Sequence, residues 1–301
     1  MPVVRGQYAE LLAPGLNMRT FNQYRERPEI YRYITNVKDS ARAYEEDFAV
    51  GGFGPLAAKG ELESTIMDEP IKIGGVRFIH KTYALGFEIS EEMREDDLVG
   101  LALDLAADLG KSSRITAELY GHDVWNNGFS SAKYVGRDGK ALFALDHPIK
   151  GTGGTSANRP AVDTDLSQAA LEAAWANFQD QVDDRGNPID MQPAILMVHP
   201  DGVLFARRLL ESSGYTGTNN NDINPLFNMG IQIVSSPYFT DRDAWFLTAP
   251  PSDIDVRFYW RRKPDTRTWD DDDAEGTIHK ISQRHSVGFG DWRGAYGSPG
   301  A

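Results

Sequence analysis

Residues 71–120 read IKIGGVRFIHKTYALGFEISEEMREDDLVGLALDLAADLGKSSRITAELY, and two different periods meet inside this stretch. Up to Ile89 the texture is that of strands, with Ile71, Ile73, Val76, Phe78 and Ile79 flanking Gly74-Gly75. Paired glycines between β-prone runs signal a hairpin, because both can take positive φ. The spacing therefore predicts a turn at Gly74-Gly75. An isolated two-stranded hairpin is marginal in water and needs a neighbour to pack on. Ser90 then precedes Glu91 and Glu92, an N-cap with acids at the positive end of a helix. Beyond Asp96-Asp97, the residues Leu98, Leu101, Ala102, Leu105, Leu109, Ser112, Thr116 and Leu119 recur at steps of three and four. That period predicts a long helix with an apolar, then polar, stripe. Arg114 and Glu118 stand four apart and are expected on its solvent side, a pair worth roughly a few tenths of a kcal/mol.

Upstream, Tyr8, Leu11 and Leu12 share one face of a short helix that Pro14-Gly15 is expected to stop. Phe21, Tyr24, Tyr31, Tyr33 and Ile34 follow without a lasting period, interrupted by Pro28, as in an arm draped over something else. Gly51-Gly52-Phe53-Gly54-Pro55 has the composition of a hinge. Downstream, 128–164 reads as loops and short strands. Asp165 and Gln168 make a capping-box-like start, and Leu171, Trp175, Phe178 and Val182 mark a second amphipathic helix, ended by Gly186 and Pro188. Strands are expected at 194–198, 231–234 and 245–247, and a helix at 201–210. Ile254, Val256, Phe258 and Trp260 alternate with Asp255, Arg257 and Tyr259, a half-buried strand. In the tail, His279, Ile281, Gln283, His285, Val287 and Phe289 would share one strand face. The fold class is α+β, without repeats.

The chain has 301 residues, 31 Lys+Arg against 44 Asp+Glu, a formal net charge of −13 and no cysteine. The acidic balance argues against a chain-wide polyanion binder, which needs clustered cations to displace counterions. The absence of cysteine removes disulfides, thiolate metal sites and cysteine nucleophiles. No run approaches the roughly 20 apolar residues of a membrane span, and residues 1–16 lack a signal-peptide pattern. A compact chain of this length would bury about three quarters of its unfolded surface. With 29 Gly and 16 Pro, many turns and extended segments are expected.

No constellation reads as catalytic, cofactor-binding or metal-binding. His279 and His285 are six residues apart on one strand, roughly 20 Å at about 3.3 Å per residue, too far for one metal. His147 and His199 precede prolines in turns, and His80 and His122 stand alone. The acids Asp270 to Asp273 lack the ligand alternation of a calcium loop and read as a solvated loop. Arg257-Phe258-Tyr259-Trp260-Arg261-Arg262-Lys263 interleaves cations and aromatics as single-strand binders do. On a strand its rings divide between two faces, so a strand end with intersubunit ion pairs is the preferred reading. Ser130-Ser131-Ala132-Lys133 matches S-x-x-K without companion motifs. Gly52-Phe53-Gly54 lacks the third glycine of a dinucleotide fingerprint. What remains is an arm and a projecting hairpin that cost about 1–2 kcal/mol per ordered residue, and hence an expectation that sister copies cover them.

Several stretches resemble the major capsid (major head) proteins of tailed bacteriophages, in the Mu-like prophage head-subunit group. They are Tyr8-Ala9-Glu10-Leu11-Leu12, Ala49-Val50-Gly51-Gly52-Phe53-Gly54-Pro55, the run from His80 to Met93 with Asp96-Asp97, Leu142-Phe143 with His147-Pro148, and the run from Gly290 to Ser298. The resemblance implies the Hong Kong 97-like fold. Residues 1–48 would be the N-terminal arm, 49–97 the extended hairpin (E-loop) and its base, 98–165 the peripheral domain with its spine helix, 166–262 the axial domain, and 263–301 the return to the peripheral domain. It also implies a non-enzymatic role: hexamers and pentamers of this chain closing into an icosahedral head around double-stranded DNA. The partners implied are the chain itself, a separate scaffolding protein, a portal and cement proteins. DNA contact would be non-specific and no membrane is involved. The expected location is the virion, after synthesis in the host cytoplasm. No long helical segment precedes the arm, so scaffolding is expected from another chain. Some relatives weld subunits by a Lys–Asn isopeptide bond. Lys59 and Lys72 could donate here, but no asparagine follows Asn228, so no such bond is expected. The competing readings are an encapsulin-like nanocompartment shell, an unrecognised hydrolase, and a nucleic-acid binder using 257–263.

Overall fold

The computed structural model describes residues 6–90, 92–93, 99–214, 223–271 and 276–301. Leu98, Glu91, Asp96-Asp97 and Asp272-Asp273, all used in the sequence argument, lie outside them. The first element, α1 (Gly6–Arg25), runs straight through Pro14 and Gly15, where a stop is expected. Proline inside a helix deletes one backbone bond and costs about 3 kcal/mol. The helix persists because it lies along a longer one, α3 (Val99–Asn126), burying Leu16, Thr20 and Tyr24 at steps of four. A turn of helix, α2 (Tyr31–Ile34), and β1 (Asn36–Asp39) complete the arm. Tyr31 and Ile34 are buried in the chain's own interior.

The long helix is where its period requires, but of the expected stripe only Ala102 and Leu109 are buried. Leu101 and Leu119 are exposed, whereas Ala102, Ala106, Gly110, Ser113, Ala117 and Gly121 are buried. These small residues admit the arm at close range. A Cβ at Gly110 would stand 2.1 Å from the Thr20 carbonyl oxygen, and one at Gly121 2.3 Å from Tyr31 Cβ. Glu118, expected on the solvent side, is fully buried under the arm. Its carboxylate accepts from the Ile30 N–H at 2.7 Å and the Tyr31 N–H at 3.0 Å, with Arg114 at 4.0 Å. It thus satisfies donors at the start of α2 that no helix bond reaches.

The hairpin expected around a Gly74-Gly75 turn does not form, and a different one does. β2 (Tyr44–Gly51) pairs antiparallel with β3 (Ile71–Ile79), and β3 continues through Gly74-Gly75. The connecting loop is therefore 52–70. Gly74 does take a positive φ, 150°, but inside a strand rather than a turn, and both glycines serve close approach. A Cβ at Gly74 would lie 2.4 Å from the Arg137 carbonyl oxygen, and one at Gly75 2.7 Å from the Phe48 ring. The register slips beside them, between Ala49 and Val50.

β4 (Lys81–Ser90) enters a four-stranded sheet ordered β1-β10-β11-β4, where β10 is Val256–Asp271 and β11 Gly276–Phe289. β1 pairs parallel to β10, and the other pairs are antiparallel. The tail alternation holds: His279, Ile281, Gln283, His285 and Phe289 are buried. Gln283 accepts from Ser113 Oγ of the long helix at 3.0 Å, and the His279 ring meets Thr20 Oγ1 at 3.2 Å. Asp270 and Asp271 belong to β10 rather than to a loop.

Between the long helix and the second sheet lie β5 (His147–Ile149), β6 (Gly154–Ser156) and α4 (Gln168–Gln179). Ser167, not Asp165, caps α4 by accepting from the Ala170 N–H at 3.2 Å. Leu171 and Phe178 are buried, Trp175 is half-buried, and Val182 lies beyond the helix end. The second sheet runs β12-β9-β7-β8, from β7 (Ile195–Val198), β8 (Gln232–Ser235), β9 (Trp245–Thr248) and β12 (Ala295–Ser298). α5 (Val203–Glu211) buries Ala206 and Leu210 against the same core. All residues of β7 and β9 are buried on both faces, the pattern of central strands, and β12, at the sheet's edge, is buried throughout as well.

Candidate functional site

Among the described residues, exposed large apolar side chains concentrate in the 44–79 hairpin. Phe48, Val50, Phe53, Leu56, Leu62, Ile66 and Met67 are all exposed there. Leu56 is fully solvent-exposed in the single chain. Contiguous exposed apolar surface marks an interaction site rather than a free surface. The neck of the loop is nevertheless fastened. Arg185 donates to the Gly52 carbonyl at 2.9 Å and to the Glu69 carbonyl, and stands 3.2 Å from Asp68. The Gly54 N–H donates to Asp68 Oδ2 at 3.1 Å. That bond, joined by the Arg185 charge, holds the Asp68 carboxyl below the usual carboxylate range.

At the hairpin base four charges interlock. Arg137 reaches Asp47 Oδ2 on β2 at 2.6 Å and also contacts Asp255. Arg257 on β10 reaches the same Asp47 oxygen at 2.7 Å and likewise contacts Asp255. The Asp291 N–H adds a bond to Asp255 Oδ2 at 3.0 Å, and the Arg137 N–H donates to the Gly290 carbonyl at 2.9 Å. Burial pushes the Asp255 carboxyl upward, against the pull of Arg137 and Arg257. Two arginines and two aspartates, all mostly buried, fix the angle at which β2 leaves the body. Truncating one member would strand the others, a cost of several kcal/mol for buried pairs.

The cation–aromatic run at 257–263 is part of this framework. Phe258 and Trp260 are buried, and Tyr259 is buried on the opposite face. Their rings pack on Tyr31, Phe78 and His285, so they offer no face to a base. The ion pairs expected between subunits at this strand are made within the chain: Arg257 to Asp47 and Asp255, and Lys263 to Asp39 at 3.1 Å.

The histidines outside β11 have hydrogen-bond partners. His147 lies in β5, not in a turn. It is buried, bonds Asp138 Oδ2 at 2.6 Å and Asn158 Oδ1 at 3.0 Å, and stacks on Trp292. His199 accepts from the Asp201 N–H at 3.3 Å. His80 bridges Ser40 and Ser286. His122 Nδ1 bonds the Glu118 carbonyl at 2.7 Å, and burial pushes its pKa down to about 4. Ser130 accepts from the Ala132 N–H while Lys133 pairs with Asp123, so the S-x-x-K residues do not meet. Among the described residues no group of three His, Asp or Glu side chains is placed to hold a metal, and no helix is long and apolar enough to cross a membrane. The charge quartet escapes sequence reading because Asp47, Arg137 and Asp255 are separated by 90 and 118 residues. No local pattern marks them.

A family model described as "Phage capsid protein" matches residues 76–298. No curated protein matches the sequence. Among solved structures, the procapsid of bacteriophage JBD30 is similar, with 16% identity, a TM-score of 0.56, and coverage of 98% of this chain and 76% of that one. The JBD30 capsid decorated with minor capsid protein trimers has 15% identity and a TM-score of 0.55, over 71% of this chain and 92% of that one. The mature capsid of bacteriophage PhiM1 has 11% identity and a TM-score of 0.59, over 90% of this chain and 86% of that one.

Proposed function

The chain belongs to the phage capsid protein family, and from that premise we propose that it builds the head from hexamers and pentamers around double-stranded DNA. It is a structural component of the virion with the Hong Kong 97-like fold, and not an enzyme. In this reading 1–48 is the arm, 49–97 the E-loop with its base, 98–165 the peripheral domain carrying the spine helix, 166–262 the axial domain, and 263–301 the return. The Mu-like grouping rests on the order of motifs between His80 and Met93 and between Gly290 and Ser298. A scaffolding protein, a portal and cement proteins are the proposed partners, with synthesis in the host cytoplasm. Membership of a phage capsid family favours the head over the encapsulin-like container.

One observation carries the assembly reading: the 52–70 loop exposes Phe53, Leu56, Leu62, Ile66 and Met67 while Arg185 and the Asp47–Arg137–Asp255–Arg257 quartet hold its root. A root this well fastened under a bare apolar loop fits a part that is completed by a neighbour. The net charge of −13 suits a wall that does not adhere to packaged phosphates. Electron microscopy of the purified chain, alone and with a co-expressed scaffold, tests the proposal. Capsomers or closed shells are expected, and DNA-filled heads when the packaging machinery is present. A monomer that forms no particles under either condition would sink the reading.

A further inference from the structure

The cation–aromatic run leaves two of its charges without a partner. Arg257 and Lys263 pair within the chain, but Arg261 and Arg262 make no ion pair among the described residues. The register places these two arginines. Trp260 faces His285 and Arg262 faces Arg284, so Arg261 is the extra residue of a β-bulge. Gln283 bonds to Ser113 of the spine helix, so Ser282 and Arg284 project from the face of the sheet that points away from that helix. Arg262 joins them there, donating to Ser282 Oγ at 3.1 Å. His80 meets the same face through Ser286 Oγ at 2.9 Å. Burial lowers the His80 pKa, and Arg284 and Arg261 lower it further against Glu45, so both guanidinium groups stand around one imidazole.

Three arginines thus meet at one bulge, and no carboxylate answers them. Arg284 also makes no ion pair among the described residues, and the Nε of both Arg261 and Arg284 is buried without a hydrogen-bond partner there. Glu45 is already held by the Ser40 hydroxyl at 2.6 Å and by Arg42 at 3.9 Å. Asp265 and Glu88 share the face and pair with none of the three. Farther along the same strands, Arg267 stands directly opposite Lys280. Like charges opposed across a strand pair destabilise it, and so does a buried donor without an acceptor. The lone subunit therefore carries an uncompensated cost on this face, in a chain that has 44 acids to 31 bases.

We propose that the Arg261–Arg262–Arg284 bulge is a carboxylate-binding contact, filled in the assembly by an acidic surface of a second copy. The inference rests on the shell reading and names a contact within it. Charge complementarity selects this occupant. A planar guanidinium fork matches a carboxylate two bonds at a time. Two copies of net charge −13 repel each other, so a lasting contact between them needs a local meeting of opposite charges. Duplex DNA fits less well. Proteins that hold it neutralise about 6–10 phosphates, whereas the bulge gathers three arginines, and the neighbouring Tyr259 and Trp260 rings are buried.

Two measurements should move in opposite directions. In the soluble full-length subunit, Arg284→Gln, or Arg261→Gln with Arg262→Gln, relieves the opposed charges, so the urea midpoint should hold or rise. The same variants should raise the protein concentration needed for assembly about 10-fold, the loss of one charge-assisted hydrogen bond. Citrate, a tricarboxylate, should raise the urea midpoint of the wild-type subunit above its value in sodium chloride of equal ionic strength, and Arg261→Gln with Arg262→Gln should abolish that gain. A lower urea midpoint in both variants would make the arginines part of the subunit's own fold and overturn the contact. Assembly of both at the wild-type concentration would overturn it as well. Variants that assemble normally but retain less DNA would assign the bulge to phosphate, a third refutation. If the wild type forms no particle at all, the shell reading falls and the citrate comparison decides the site alone. Protection lost in the variant then sustains a carboxylate site, and equal protection in both, or none in either, refutes it.

Discussion

His285 is a titratable residue used as an aromatic hydrocarbon. Both ring nitrogens are buried without a hydrogen-bond partner, and the ring stacks on Tyr83 and Phe258 at 4.6 and 5.0 Å. Burial, with His80 nearby, pushes its pKa down to about 4. An unfolded histidine titrates near about 6.5, so between these values the unfolded chain binds more protons than the folded one. The stability His285 contributes is present above about pH 6.5 and is lost as pH falls toward about 4. His122, also lowered to about 4, acts in the same direction. Glu118 acts oppositely. Burial raises its pKa to about 7 against the two N–H bonds from Ile30 and Tyr31, so its share is largest at low pH and is lost as pH rises through about 7. His285→Phe removes two unsatisfied nitrogens while keeping the stack. It should leave stability at pH 7.5 unchanged or raised by about 1 kcal/mol and should flatten the loss on acidification. Urea midpoints of the soluble subunit between pH 7.5 and 4.5 measure this. A slope identical to wild type would refute the neutral buried state. The sequence placed His279, Ile281, Gln283, His285 and Phe289 on one buried face correctly, because strict alternation reports a face directly. It misplaced Glu118, because the Arg114 spacing looks like a solvent pair and the amides that bind Glu118 are 87 and 88 residues away.

Among the elements, the arm and the spine helix are fitted at the two glycines. Gly121→Ala gains up to about 1 kcal/mol of helix propensity, yet its Cβ would sit 2.3 Å from Tyr31 Cβ. Overpacking of that kind costs about 1–3 kcal/mol, and the elbow would have to retreat from the Glu118 carboxylate. The variant should unfold at lower denaturant and exchange the amides of 30–35 faster. Gly100→Ala in the same helix meets nothing within 4 Å and should be neutral or mildly stabilising. Equal effects of the two substitutions would remove the close-approach argument. The same physics explains two misread signals. Gly74-Gly75 looks like a turn because glycine permits positive φ, and Gly74 does adopt φ 150°, but within a continuous strand where the absent Cβ also admits the Arg137 carbonyl and the Phe48 ring. Pro14 looks like a stop because it deletes a donor, but packing on α3 outweighs that one bond. Period, being repeated over many residues, was legible in both cases. Single punctuating residues were not, since their meaning depends on what lies opposite them. The Arg185 clasp at the loop's neck implies a further result. Arg185→Ala should leave the two sheets intact while releasing the neck of the hairpin, seen as faster protease cleavage within 52–70 of the unassembled subunit. Unchanged cleavage would mean that Arg185 does not restrain the loop.

For the whole molecule, the division between what is self-sufficient and what is not falls differently from the expectation that arm and hairpin both depend on sister copies. The arm from Leu16 to Ile34 is completed by its own chain, through Tyr31, Ile34 and the spine helix. The 52–70 loop is not. A shell built by such contacts must be held by burial and charge unless a covalent weld is added. Two welds known in principle are excluded by composition: disulfides, since there is no cysteine, and a Lys–Asn bond between Lys59 or Lys72 and the return segment, since no asparagine follows Asn228. Particles boiled in detergent should therefore yield a single 33.4 kDa species, without ladders, under reducing and non-reducing conditions alike. Exposed charges are screened within about 8 Å at physiological salt, so the mostly buried Asp47–Arg137–Asp255–Arg257 quartet should keep the hairpin root intact in the released subunit even at high ionic strength. Intact-mass measurement of denatured particles decides the first point. A mass equal to two chains less one ammonia, the leaving group of an isopeptide bond, would show that an asparagine upstream of Asn228 or at it serves as acceptor and that the return segment is not where the weld lies.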